Sequence, residues 1–467
     1  MLSPPSPPSL PSISFDQGTL VASGFTQIGL QKIFPEIDWV FDTRIDKFRC
    51  NANEFYKIEN DLHRLAGPAD ITVAAWHELR WPSVDLPPLR PHQTAAIECF
   101  LQADRRGVIV MPTGTGKTIV GLSIAAQLHC GCLIVAPIRD LMYQWHRKIQ
   151  QHLGYDAGII GDNVFNLKPV SVTTYDSAAI HMQRLGNQFQ LIIFDECHHL
   201  PGQFYQDAAL MSAAPWRLGL TATPERSDGR HRELNHLIGP PVYELPIQAA
   251  AGQSLARYQI VRIPITLGAI ERERYDRLSQ HVQNYVWQRK QDEPDFDWPT
   301  LCKETNLDRE ARAAMKAFRG KQAIENRAQE KLRTLEDLFA LHVGEPVIVF
   351  TGSNAMARDV SLRFLIPCLL SHCGKQERNE ILSGFEQGIY PAIVANQILD
   401  EGVDLPDAKV AIVIGGSSST RQAKQRLGRI LRKSAFGEAV LYEVVLSDTA
   451  ENQRSRTRRR SDAYQLK

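Results

Sequence analysis

The stretch Val108-Ile109-Val110-Met111-Pro112-Thr113-Gly114-Thr115-Gly116-Lys117-Thr118 decides the fold. It reads as a buried strand, a glycine-rich turn and the start of a helix at Ile119. A turn of this kind points successive backbone N–H groups at an anion, and the helix N-terminus adds its dipole. Thr113, Gly114, Thr115 and Gly116 form the cradle, Lys117 can reach the β- and γ-phosphates, and the Thr118 hydroxyl can ligate Mg²⁺. Met111 stands where the usual Walker A pattern begins with glycine.

Such a loop needs a strand that ends in carboxylates, and Leu191-Ile192-Ile193-Phe194-Asp195-Glu196-Cys197-His198-His199 supplies one. Asp195 is placed to hold Mg²⁺ and Glu196, beside the same metal, to polarise an attacking water, because phosphoryl transfer needs positioning more than covalent chemistry. The two histidines do not make a metal site with these carboxylates, since neighbours leaving a strand point apart. The better reading gives His199 the task of sensing the γ-phosphate and signalling to Leu218-Gly219-Leu220-Thr221-Ala222-Thr223-Pro224. There Thr221 and Thr223 offer two hydroxyls for coupling. Arg90 and Gln93, in Arg90-Pro91-His92-Gln93, stand just before the first helix, where the Gln93 amide can read an adenine edge. Far downstream, Ala423 to Arg432 places Gln425, Arg429 and Arg432 on one helical face, with both arginines suited to a transferring phosphate. Asp400-Glu401-Gly402-Val403-Asp404 adds carboxylates and a turn, with Gly402 and Asp404 assigned to the nucleotide.

Working outward, short apolar runs at Gly107–Met111, Cys132–Ala136, Val170–Thr173, Leu191–Phe194 and Arg217–Leu220 alternate with helical segments. That pattern predicts a doubly wound parallel sheet over residues 89–255. A second series at Pro346–Phe350, Ile366–Leu370, Ala392–Ala395, Val410–Ile414 and Ala439–Val445 predicts another over 336–450. Residues 270–335 are charged and helix-friendly, with 11 Lys/Arg against 9 Asp/Glu between Val286 and Arg333, and read as a helical insertion between the lobes. Residues 13–80 read as a small α+β module with a helix around Ala52–Leu65, followed by a proline-rich linker from Trp81 to Pro88. The first 12 residues read as a flexible Pro/Ser leader and residues 451–467, with five arginines, as a basic tail.

Composition sets the outer limits. The chain has 467 residues, 43% hydrophobic and 22% charged, with a formal net charge of +1. A uniformly basic nucleic-acid sleeve and an acidic disordered chain are both excluded, although a local basic surface is not. No apolar run approaches the length of a membrane span, and the eight cysteines lack zinc-type spacing, so a reduced cytoplasmic protein is expected.

The ordered set Gln93, Met111–Thr118, Ala136-Pro137 with Gln144-Trp145, Thr173-Thr174-Tyr175, Asp195–His199, Thr221-Ala222-Thr223, Phe350-Thr351-Gly352-Ser353, Leu399–Asp404 and Gln425–Arg432 resembles a superfamily-2 helicase motor. More narrowly, Thr221 to His231, Ile366-Pro367 with His372, Ile398 to Ala408 and Gln425 to Arg432 resemble the XPB-type DNA repair helicases. That resemblance implies two RecA-like lobes and a damage-recognition domain at 13–80, where Phe41-Asp42-Thr43-Arg44 carries the likeness. It implies a DNA-gripping thumb at 270–335, ATP with Mg²⁺ as cofactors, and 3′-to-5′ opening or translocation of duplex, forked or bubble DNA. A partner nuclease or a larger repair assembly is implied as well, and no membrane. The DNA-contacting residues it implies are Arg139, Thr173, Thr174, Ser353 and Asn354, with Arg226 and Asp228 from the family's Arg-Glu-Asp tripeptide. Here that tripeptide is Arg226-Ser227-Asp228, so strand separation is the step the departure touches. The alternatives are another superfamily-2 motor, an RNA helicase or a restriction-type translocase, and a catalytically silent nucleic-acid scaffold.

Overall fold

In a computed structural model of the chain, the described residues are 10–61, 69–74, 76, 78–226, 228–250, 258–370, 372–396, 408–415 and 439–458. The chain divides into two compact units, Met1–Pro246 and Ile247–Lys467. The leader expected at 1–12 falls mostly outside the described residues, as do Ser227, Gly402, Asp404, Gln425, Arg429, Arg432 and the last nine residues.

The first unit holds two sheets. The smaller is five-stranded, in the order β3(Val40–Asp42)-β4(Lys47–Asn51)-β2(Thr19–Ser23)-β1(Ser12–Asp16)-β5(Asp70–Thr72). It is covered by α1(Gln27–Ile33) and α2(Phe55–Asp61), whose Leu30 and Ile58 are buried with Ile13, Leu20 and Trp39. It packs against the amino end of the larger sheet: Arg106, the first residue of the strand Arg106–Val110, lies 3.7 Å over the Tyr56 ring, and Ala213, just ahead of the strand Trp216–Thr221, joins the small module's core. The proline-rich run does not read as a free linker, because Ser83 and Asp85 donate backbone hydrogen bonds to Leu153 and His152.

The larger sheet has eight strands. In spatial order they are β13(Pro241–Glu244), β6(Arg106–Val110), β12(Trp216–Thr221), β11(Leu191–Asp195), β7(Cys132–Ala136), β10(Val170–Thr174), β8(Gly158–Gly161) and β9(Val164–Phe165). All are parallel except β9, which returns from β8 through a left-handed Asp162-Asn163 turn. Side chains alternate across the sheet as the pleat requires. Ile109, Ile134, Ile193 and Leu218 face α3(Pro91–Gln102), α4(Lys117–Leu128) and α5(Arg139–Leu153), whereas Val108, Val135, Ile192 and Phe194 face α6(Tyr175–Leu185). Both faces are covered, which is why these strands read as continuous apolar runs.

The second unit has a six-stranded parallel sheet. Its order is β14(Tyr258–Ile265)-β19(Ala439–Leu446)-β18(Val410–Ile414)-β15(Val347–Thr351)-β17(Ala392–Ala395)-β16(Cys368–Leu369). The helices Ala269–Asp292, Trp298–Glu304, Arg309–Arg327 and Gln329–Leu341 follow β14. The helical insertion therefore lies inside the second sheet's chain, and that sheet begins with β14, ahead of the boundary at 336 read from the sequence. The basic tail is corrected too. Ala450–Arg458 is a helix whose Glu451 and Ser455 are buried, with Glu451 paired to buried Lys331 at 2.9 Å and Arg454 paired to Glu325.

Candidate nucleotide and helicase site

Every strand of the large sheet that carries a motif ends at the same edge. The carboxyl ends of β6, β12, β11, β7 and β10 lie side by side, so Lys117, Thr221, Asp195, Arg139 and Thr174 are brought to one rim. Open parallel α/β sheets bind ligands at this rim.

The loop after β6 is braced from three sides. Met111 N–H donates to the Thr221 carbonyl at 2.9 Å, and the Thr115 hydroxyl donates to the Pro112 carbonyl at 2.7 Å. The Thr115 carbonyl accepts from His92 Nε2 at 3.1 Å and Gln93 Nε2 at 3.0 Å. Gly116 has φ +92° and a Cβ there would run into the Gln93 amide, so glycine is required twice over. Gln93 Oε1 meanwhile accepts from Arg90 N–H at 2.9 Å. The buried Gln93 amide thus joins the start of α3 to the loop with one bond at each end, which leaves it a second N–H and a second lone pair; exposed Arg90 lies at the helix start. Thr113, Gly114 and Thr118 line the open part of the turn, none of them buried. Lys117 Nζ donates to the Met111 carbonyl at 3.3 Å and lies 3.6 Å from Glu196 Oε1.

Asp195 is 8% exposed. Its Oδ2 accepts from Trp145 Nε1 at 2.8 Å, its Oδ1 from Glu196 N–H at 3.1 Å, and its carbonyl from the Tyr175 hydroxyl at 3.0 Å. Burial, and next the Glu196 charge, push its carboxyl up to about 6, against the pull of Trp145 and Lys117. Glu196 takes a left-handed conformation, φ +47°, in which backbone strain turns its side chain toward Lys117.

Of the two histidines, His198 is the one whose ring lies against Thr221. His198 is fully buried, and its Nδ1 lies 3.0 Å from Thr221 Oγ1 and 3.5 Å from Glu196 Oε2. His199 is half-buried and stacks on His198 with ring centroids 4.3 Å apart. The short 3₁₀ turn Cys197–His199 sets which ring faces β12, a phase that spacing alone does not reveal. Thr221 is a hub: its hydroxyl also donates to the Thr223 carbonyl and accepts from Thr223 N–H, both at 3.1 Å. The Thr223 hydroxyl is buried without a hydrogen-bond partner among the described residues.

The residues assigned to DNA fare unevenly. Arg139 is exposed and paired with Asp162 at 2.6 Å. Thr173 is fully buried and donates to the Ile160 carbonyl at 2.7 Å, so its hydroxyl faces the sheet and not DNA, a correction. Thr174 caps α6 by accepting from Ser177 N–H. Arg226 grips Asp228 with two nitrogens and donates to the His198 carbonyl at 2.8 Å; the same guanidinium holds the Asp228 carboxyl well below the usual carboxylate range. In the second unit, Ser353 caps the helix Asn354–Phe364, and Asn354 accepts from Asn396 at 2.5 Å.

Comparison with known proteins identifies relatives of the chain and of its fold. Residues 86–226 match the family described as "Type III restriction enzyme, res subunit" and residues 330–434 match "Helicase conserved C-terminal domain". The fold is similar to the Pyrococcus furiosus Hef helicase domain, with a TM-score of 0.56 at 16% identity over 79% of this chain and 98% of that one. It is also similar to S. cerevisiae Dbp5 bound to RNA and ADP BeF3, with a TM-score of 0.52 at 15% identity over 80% and 88%. The fold and motifs define a superfamily-2 helicase motor with two RecA-like lobes, a class that uses ATP. The chain is 43% identical over 372 residues to the DNA 3′-5′ translocase XPB2 of Sulfurisphaera tokodaii, covering 79% of this chain and 84% of that one. It is 29% identical over 443 residues to the DNA 3′-5′ helicase XPB of Kineococcus radiotolerans, covering 91% and 72%. The chain belongs to the XPB family of helicases and translocases. Among the described residues no helix is long and apolar enough to cross a membrane.

Proposed function

We propose that the protein is an ATP-dependent 3′-to-5′ DNA translocase and helicase of the nucleotide-excision-repair type. The observation that carries this reading is the rim of the first unit, where Lys117, Glu196, His198 and Thr221 lie in one chain of contacts beside Asp195. In this reading the loop amides and Lys117 bind the β- and γ-phosphates and Glu196 orients the attacking water. His198 and Thr221 pass the state of Glu196 to β12 and Arg226, and so to the tripeptide stretch. Gly402, Asp404, Gln425, Arg429 and Arg432 are assigned to the nucleotide on sequence grounds.

Thr118, Asp195 and Glu196 fit Mg²⁺ as a donor set. All three offer hard oxygens, and among the described residues no cluster of three metal-ligating side chains forms a protein-only cage. Mg²⁺ favours one or two carboxylates completed by water and substrate phosphates. When bound in such a site it neutralises charge shared between phosphate oxygens. DNA contact at exposed groups such as Arg139 goes to phosphates, so binding is sequence-independent and salt-sensitive. The substrates are duplex, forked or bubble DNA, with a nuclease or repair-complex subunit as the further partner and the cytoplasm as the compartment.

The test is ATP turnover with duplex DNA, single-stranded DNA and RNA, for the wild type and Lys117→Ala. Stimulation by DNA over RNA, abolished in Lys117→Ala with DNA binding retained, is expected. Stronger stimulation by RNA would replace this reading with an RNA helicase, and wild-type turnover by the variant would remove the site itself.

A further inference from the structure

Trp145 is buried at 2% exposure, 50 residues upstream of the carboxylate to which it donates. Its indole lies in a notch that only glycine can leave: a Cβ on Gly121 of α4 would come within 2.8 Å of Trp145 Cη2 and 3.3 Å of Leu220 Cδ1. One ring therefore packs against the helix that follows the phosphate loop, shares a core with Leu220 of the strand that leads to Thr221, and reaches Asp195 with its N–H. Trp145 also belongs to α5, whose first residue is Arg139, the exposed cation at the rim. The two stand six positions apart on the helix, about 9 Å along its axis.

We propose that Trp145 is a positioning residue that orients the Asp195 carboxylate and ties it to α5, so that nucleic-acid contact at Arg139 is transmitted to the ATP site. This rests on the nucleotide-site reading above. A buried indole has two side-chain torsions, both restricted here by the close approach of α4 at Gly121 and by the surrounding core, so a displacement of α5 moves the N–H with it. The N–H fixes one carboxylate oxygen, leaving Asp195 little freedom to follow any other element.

The experiment compares wild type, Trp145→Phe, Gly121→Ala and Lys117→Ala. Trp145→Phe keeps an aromatic ring in the notch and deletes the N–H. Gly121→Ala keeps the N–H and pushes the ring, which provides a second route should the first variant fold poorly in a thermal melt. Calorimetric titration with ATP, with and without Mg²⁺, reads positioning without turnover. The Mg²⁺-dependent gain in ATP affinity should fall roughly tenfold in Trp145→Phe, the loss of one hydrogen bond to a charged acceptor, while metal-free affinity stays within about twofold. DNA-stimulated turnover should fall by a larger factor than basal turnover, with nucleotide-free DNA affinity unchanged. An undiminished Mg²⁺ gain, or an equal fall in basal and stimulated rates, would overturn the proposal. Failure of the nucleotide-site reading is distinguishable, because in that case Lys117→Ala would retain turnover whatever Trp145→Phe does.

Discussion

Replacing Asp195 by asparagine should stabilise the nucleotide-free protein while removing its turnover. Asp195 is buried, and its carboxyl is raised from 3.8 to about 6, chiefly by burial and then by Glu196. A raised carboxyl is a cost to the folded state at neutral pH: stability is fully present below the unfolded value and is lost as pH rises through about 6. The displacement corresponds to on the order of 3 kcal/mol at pH 8. Asparagine keeps an acceptor for Trp145 Nε1 but loses the one for Glu196 N–H, which costs about 1 kcal/mol. The net expectation is a gain of about 2 kcal/mol, or roughly 4–8 °C for a unit the size of Met1–Pro246. The assay is scanning calorimetry on the full chain at pH 5 and pH 8, following the transition of the first unit. By pH 5 the wild type has recovered roughly half of its penalty, so the advantage of Asp195→Asn should shrink to less than half its value at pH 8. A variant less stable than wild type at pH 8, or one whose advantage does not change with pH, would refute the assignment of Asp195 as a buried, costly charge.

Three other substitutions probe the remaining parts. Glu196→Gln should lower turnover by about 10²–10⁴-fold while ATP binding, measured by equilibrium titration, stays within a few-fold. Thr221→Val removes the acceptor for Thr223 N–H and the contact with His198, and should cost about 1–3 kcal/mol in urea unfolding, most of it recovered by Thr221→Ser. Lys331→Met strands buried Glu451 and should destabilise the second unit by about 3–5 kcal/mol. Adding Glu451→Gln should recover a large part of that loss, and a double variant no better than the single would show that the charge is not what matters.

What could be read from the sequence was local. The glycines of the phosphate loop, the carboxylates after Phe194 and the apolar runs of the buried strands each follow from chemistry within a few residues, so motif and fold class were legible together. What could not be read depends on contacts distant in sequence or on side-chain phase. Strand β14 escaped because it is an edge strand, half-exposed and carrying Pro264, a residue tolerated only where the ladder ends. Thr173 and Thr174 look equivalent as a pair of hydroxyls. The pleat sends the first into the sheet, onto Ile160, and leaves the second to cap a helix. Gln93 has the residue type of a base reader, and its bonds to Arg90 and Thr115, which tie the helix start to the loop, could not be read from the sequence. Trp145 stood in a recognisable Gln-Trp pair, but its role lies in a hydrogen bond spanning 50 residues.

Three unfavourable features of the first unit lie together where its motifs meet. Asp195 is a charge kept from water, Glu196 is a non-glycine residue at φ +47°, and Thr223 has a buried hydroxyl with no partner among the described residues. Costs of this kind persist only where surrounding structure enforces them. The enforcement is visible: Trp145 and Tyr175 hold Asp195, Thr221 holds both backbone groups of Thr223, and Arg226 holds the His198 carbonyl. Elsewhere in the same unit a buried charge also carries a cost: burial, and next the Arg106 charge, push the Arg217 guanidinium well below its usual range. Arg217 is fully enclosed but donates to the carbonyls of Ala209, Ser212, Ala214 and Leu237. The core arginine has its hydrogen bonds met by carbonyls and is closed to any ligand, whereas the carboxylate at the rim carries a cost, from burial and from the Glu196 charge, that a bound cation would relieve. That difference separates a structural charge from a functional one more sharply than burial does, since both groups are buried.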